Sequence, residues 1–113
     1  MKLSAREAEG VTVLSLNGSV MGGPDASALN DELHKLAGKK KKKIVLDLSG
    51  VESMNSSGLG MLIGALTTMK NAGGELKIAA ASDKISSLLT ITKLTTVFEL
   101  HTSVKKALAS FSR

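Results

Sequence analysis

Asp47-Leu48-Ser49-Gly50-Val51-Glu52-Ser53-Met54-Asn55-Ser56-Ser57-Gly58-Leu59-Gly60-Met61-Leu62 is the stretch in which the hydrophobic pattern changes period. At its start, Ile44-Val45-Leu46-Asp47-Leu48 is short and almost continuously apolar, the pattern of a strand covered on both faces in a sheet with a parallel component. At its end, Leu59, Leu62, Ile63, Leu66 and Met69 recur at helical spacing until Asn71-Ala72-Gly73-Gly74 stops them. Ser49 to Asn55 reads as the loop between, so two hydroxyls, Ser56 and Ser57, fall at the N-terminus of a helix. The first turn of a helix has unpartnered N–H groups and a partial positive charge, so Asn55 or Ser56 can cap it and a phosphate can sit there. A hydroxyl in that place is either a cap or a switch. Capping is the commoner use of Ser and Asn, and residue type alone leaves both roles open.

The flanking sequence supplies the rest of a sheet with crossover helices. Glu9-Gly10 separates two alternating stretches, a hairpin signal, and Val11, Val13, Leu14 and Leu16 form a β-rich run that Asn17-Gly18 closes as a turn. Met21 to Asp25 breaks regular structure, after which Leu29, Leu33, Leu36 and Ala37 mark an amphipathic helix ended by Gly38. Beyond the long helix, Leu76, Ile78 and Ala80 mark a strand, and Ser82-Asp83 can cap a helix carrying Ile85, Leu88, Leu89 and Ile91. Thr96 to Leu100 reads as a short strand, and Thr102 and Ser103 can cap a last helix carrying Val104, Ala107, Leu108 and Phe111. The order β, β, α, β, α, β, α, β, α predicts an α/β fold: one domain over residues 1–113, with about four helices packed on a mixed sheet of about five strands.

Composition excludes most chemistry. The 113 residues are 42% hydrophobic and 22% charged, which suits a folded globular domain with a core of its own. There is no cysteine, so disulfides, cysteine-ligated zinc, iron–sulfur clusters and a thiol nucleophile are all ruled out. His34 and His101 stand apart with no ligand spacing, so no metal and no cofactor is expected. No GxGxxG fingerprint or Gly-Lys-Ser/Thr phosphate loop occurs, and Met54 and Asn55 stand where a nucleophile elbow ahead of Ser56 or Ser57 needs glycine. Asp47, Glu52, Glu75 and Glu99 fall in no acid–base spacing, so the chain reads as a non-enzyme. With no Trp, no Tyr and two Phe it cannot build a base-stacking platform, and direct DNA binding is not expected. Met1 to Gly10 lacks the apolar core of a signal peptide, and no apolar run approaches the ~18 residues that span a bilayer, so the reading is cytoplasmic, without stable membrane insertion. The formal charge of +5 equals the five lysines Lys39 to Lys43, and the remaining basic and acidic residues cancel. That run reads as a solvated turn or as a weak, salt-sensitive contact for an acidic partner, nucleic acid or an anionic lipid surface.

The Asp47–Leu62 stretch resembles the signature of the STAS family, and within it the bacterial anti-sigma factor antagonists. Their pattern is a strand reading Asp-Leu-Ser-x-Val, a short loop, then Asp-Ser-Ser-Gly or Asp-Ser-Thr-Gly-Leu opening a helix, and the order of elements agrees across nearly the whole chain. The resemblance implies a binding module for an anti-sigma factor with serine kinase activity, which phosphorylates the residue corresponding to Ser56, with a PP2C-type phosphatase reversing the change. Ser57 and Gly58 match the next two positions; Asn55 replaces the family's aspartate, keeping its size and acceptor oxygen but losing its charge. Loss of the carboxylate either slows transfer to Ser56 or lets a phosphate dianion form with less repulsion. The expected partner surface is Asn55, Ser57, Gly58, Gly60 and Met61: the small Ser57, Gly58 and Gly60 let a partner backbone approach, the glycines equally serving tight packing of the helix on the sheet, and Met61, Ala65 and Thr68 are either contact face or second-layer core. Two other readings stand beside it: a STAS subunit of a transporter or sensory complex that binds constitutively without phosphorylation, and a small enzyme or ligand-binding protein that holds a phosphorylated metabolite at the Ser56 helix end.

Overall fold

Strand alternation sends Val11, Val13 and Val45 into one cluster and Leu14, Leu16, Ile44, Leu46 and Leu48 into another, so both faces of the sheet are covered. In the computed structural model, which describes residues 1–111, the elements are β1 (Lys2–Ala8), β2 (Val11–Val20), α1 (Pro24–Gly38), β3 (Lys43–Met54), α2 (Ser56–Asn71), β4 (Glu75–Ala79), α3 (Asp83–Ile91), β5 (Leu100–His101) and α4 (Val104–Phe111), with a 3-10 turn at Leu94–Thr96. The sheet order is β1-β2-β3-β4-β5. The β1–β2 hairpin is antiparallel and every other pairing is parallel, which makes the expected mixed α/β sheet. Leu29, Leu33 and Leu36 of α1, Leu62, Leu66 and Met69 of α2, and Ile85 and Leu89 of α3 bury one face. Ala107 and Leu108 of α4 bury part of the other, over Val13, Val45 and Ala79.

Five expectations need correction. Ser49 to Met54 is not loop: β3 continues to Met54 because β2 runs beside it to Val20, absorbing register shifts between Ser15 and Asn17 and between Gly18 and Ser19. Asn17-Gly18 therefore ends no strand, and Gly18, at φ +90, takes the left-handed backbone that such a bulge calls for. Helix α1 does include Gly38, yet the left-handed residue behind it is Lys40, at φ +63. Thr96 to Leu100 is mostly the 3-10 turn and its exit, since strand pairing with β4 begins only at Leu100 and takes in Leu100 and His101. Ile63 and Ile91 are exposed rather than buried.

The topology separates two ends of the molecule. Lys43, Glu75 and the β1–β2 turn lie at the end where the parallel strands start, while Val20, Met54 and the N-terminus of α2 lie at the end where they finish. Among the described residues, no helix is long and apolar enough to cross a membrane, and no group of His, Asp and Glu could hold a metal ion.

Candidate functional site at the strand–helix junction

Asn55 has extended backbone, φ −104 and ψ −176, and its Oδ1 accepts the Gly58 N–H at 2.8 Å. Its own carbonyl accepts from Leu59 N–H at 3.0 Å, so Asn55 is the residue that starts α2. The cap is thereby assigned, and Ser56 becomes the first helical residue, exposed, with Ser57 exposed beside it. The first turn of α2 contains no acidic side chain, so its partial positive charge has no carboxylate on the helix to offset it.

The junction is held from below. Gly58 is buried against the end of β2, where an added Cβ would stand 2.1 Å from the Val20 carbonyl oxygen. The Asn55 N–H donates to that same oxygen at 3.4 Å. A Cβ on Gly22, at φ +80, would stand 2.6 Å from the Ser57 Cβ. The β2–α1 turn and the first turn of α2 are thus locked together, which fixes where Ser56 and Ser57 stand. Sequence reasoning did not single out Gly22; its signal was the Gly22-Gly23-Pro24 run, two glycines ahead of a proline that opens α1.

Between α1 and α2 runs a groove of about 420 Å³ lined by Gly22, Ala26, Asn30, Ser57, Gly60 and Met61, among others. Thr68 Oγ1 donates to Asn30 Oδ1 at 3.0 Å farther along the same helix pair. Of the expected contact residues, Asn55, Ser57 and Gly60 are exposed, Gly58 is buried, and Met61 is 7% exposed, packed in the core with one side on the groove. Ala65 is buried with it, so this part of the helix serves chiefly as second-layer core. The exposed stripe of α2 runs instead through Ser56, Gly60, Ile63 and Thr67, which share one helix face. At the start of α1 the Met1 ammonium lies 3.7 Å from Asp25, whose other oxygen accepts from the Met21 N–H at 3.3 Å.

A sequence model of the STAS domain matches residues 2–107. The chain belongs to the STAS domain family. This STAS chain is 30% identical over 70 residues to a Thermotoga neapolitana protein named as a candidate anti-sigma factor antagonist, a match covering 62% of each. It spans 62% and 66% of the lengths of that relative and of one from Thermotoga maritima. It is 25% identical over 111 residues to BtrV of Bordetella bronchiseptica, also named as a candidate anti-sigma factor antagonist, covering 98% of this chain and 95% of BtrV. The STAS fold overlays that of the Bacillus cell fate determinant SpoIIAA in its phosphorylated form with a TM-score of 0.73 at 12% identity, covering 97% and 99% of the two chains.

Proposed function

We propose that this protein is an anti-sigma factor antagonist, a cytoplasmic, non-enzymatic binding module that captures an anti-sigma factor with serine kinase activity and so frees a sigma factor for transcription. Phosphorylation of Ser56 by that partner ends the capture, and a PP2C-type phosphatase restores it. The observation that supports this most is the division of labour at the junction: Asn55 caps α2 and leaves the exposed Ser56 hydroxyl outside the cap. A phosphate there adds about −1.5 to −2 charges at a helix N-terminus, an interaction favourable by roughly 0.3–1 kcal/mol, so the domain stays folded. The switch then acts on the partner, whose acidic or apolar groups meet a dianion at a cost in affinity of tenfold for each ~1.4 kcal/mol. Relatives named as anti-sigma factor antagonists agree with this reading.

Incubation with the partner kinase and ATP, followed by intact mass, tests it: one phosphate is expected on the wild type and none on Ser56→Ala. Asn55 in place of an aspartate favours one second reading, a STAS subunit that docks constitutively in a transporter or sensory complex. A stable complex with no mass gain would select that reading instead.

A further inference from the structure

The molecule's excess charge sits on one turn, at the opposite end from Ser56, and the proposed switch does not use it. Lys39 to Lys43 are all exposed, and without them the chain is formally neutral. They join the carboxyl end of α1 to the start of β3, and the Lys42 carbonyl accepts the Glu75 N–H at 2.8 Å, so the turn also abuts the carboxyl end of α2. Lys41 lies 3.6 Å from Glu7; among the described residues the other four lysines of the run have no ion pair. Glu9 and Glu75 share this end and Lys70 adds to the basic side, which leaves the end net positive. Val97, 48% exposed, lines the same shallow groove as Lys70 and Glu75. Five adjacent like charges repel one another, so the run contributes nothing evident to folding.

We propose that this lysine end docks reversibly on the surface of an anionic lipid bilayer, holding the Ser56 end away from the membrane and open to its partners. A convex turn of point charges suits a diffuse, flat field of acidic headgroups, and one exposed valine is too little for insertion. Nucleic acid fits less well. The run contains no arginine for bidentate phosphate contacts, Phe98 is buried, and one face of Phe111 is covered by the Lys77 ammonium 4.1 Å from its ring centre, so neither phenylalanine builds a stacking platform beside the lysines. The proposal is independent of phosphorylation at Ser56.

The test is co-sedimentation of the full chain with vesicles of phosphatidylcholine containing about 30% phosphatidylglycerol, against pure phosphatidylcholine, at about 0.05 M and about 0.5 M NaCl. Binding is expected only to the anionic vesicles and only at low salt. Each lysine contributes roughly fivefold in partition, so Lys39→Gln/Lys40→Gln/Lys42→Gln should bind about a hundredfold more weakly at an unchanged or higher Tm, while Ser56→Asp stays bound. Absence of binding to anionic vesicles at low salt, equal binding to neutral ones, or full retention by the triple variant would overturn it. So would displacement from the vesicles by a short DNA duplex at matched phosphate concentration, which would assign the lysine end to nucleic acid.

Discussion

Asn55 and Ser56 divide between them two tasks that either could perform, and the division rests on one hydrogen bond, Gly58 N–H to Asn55 Oδ1 at 2.8 Å. Asn55→Ala removes that acceptor and should cost about 0.5–2 kcal/mol, read as a fall in Tm, whereas Asn55→Asp keeps the cap. Under the proposed function, Asn55→Asp also tests the missing carboxylate: faster phosphate transfer to Ser56 means that the family's aspartate assists the kinase. Ser56→Ala should change stability by less than about 0.5 kcal/mol, because an exposed residue outside the cap has little to lose. The pair was legible in the sequence because a buried strand running into a helix forces a capping residue into a narrow window. Which of the two caps was not legible, since Asn and Ser are equally good acceptors and only backbone geometry separates them.

At the scale of elements, α2 shows how a helix that packs on two neighbours differs from its periodicity. Leu59, Leu62, Leu66 and Met69 are buried as their spacing predicts, but α1 lies alongside and extends the buried face to Met61 and Ala65, leaving Ile63 in solvent. The sequence contains no marker of where α1 will lie, which is why Ile63 read as buried and Met61 stayed open between contact face and second-layer core. The same holds for β3. Asn17-Gly18 and Ser49-Gly50 look like turn dipeptides, yet they sit in bulged strands, and a Cβ on Gly50 would stand 1.8 Å from the Asn17 Oδ1 across the pair. Turns and bulges ask for the same residues, so composition cannot tell them apart. Two glycines of α2 give opposite predictions. Gly58→Ala drives a methyl into the Val20 carbonyl and should destabilise measurably, while Gly60→Ala meets nothing within 4 Å and should stabilise by about 0.5–1 kcal/mol in thermal or denaturant unfolding. Under the proposed function, Ile63→Ala, on the exposed stripe with Ser56, should weaken the anti-sigma partner's affinity without lowering Tm.

For the whole molecule, α4 meets the sheet through Lys77 as well as through its apolar face of Ala107 and Leu108. Lys77, nearly buried, donates to Ser110 Oγ at 2.6 Å and lies 2.9 Å from Glu99, whose carboxylate also meets His101 Nε2 at 2.6 Å. The hydrogen bond with His101, then that from Lys77, lowers the Glu99 pKa from 4.5 to about 2. A carboxylate held below its unfolded value stabilises the fold above that value, and the gain is lost as pH falls through the folded value. Wild type should therefore lose part of its stability between about pH 4.5 and pH 2, and Glu99→Gln should flatten that part of a Tm-against-pH profile. Because Glu99 is half exposed, solvent screening keeps the effect small. The strand and helix order that brings these residues together was readable from hydrophobic period, whereas the Lys77–Glu99–Ser110 contacts join segments far apart in the chain with no local signal.

The most direct measurement of the central claim is a calorimetric titration of the anti-sigma partner with this protein, unphosphorylated and then carrying one phosphate on Ser56, with the Tm of both forms recorded. Affinity falling at least tenfold while Tm holds within a few degrees is the predicted result. Equal affinity for the two forms, or a phosphorylated protein that unfolds, would contradict it.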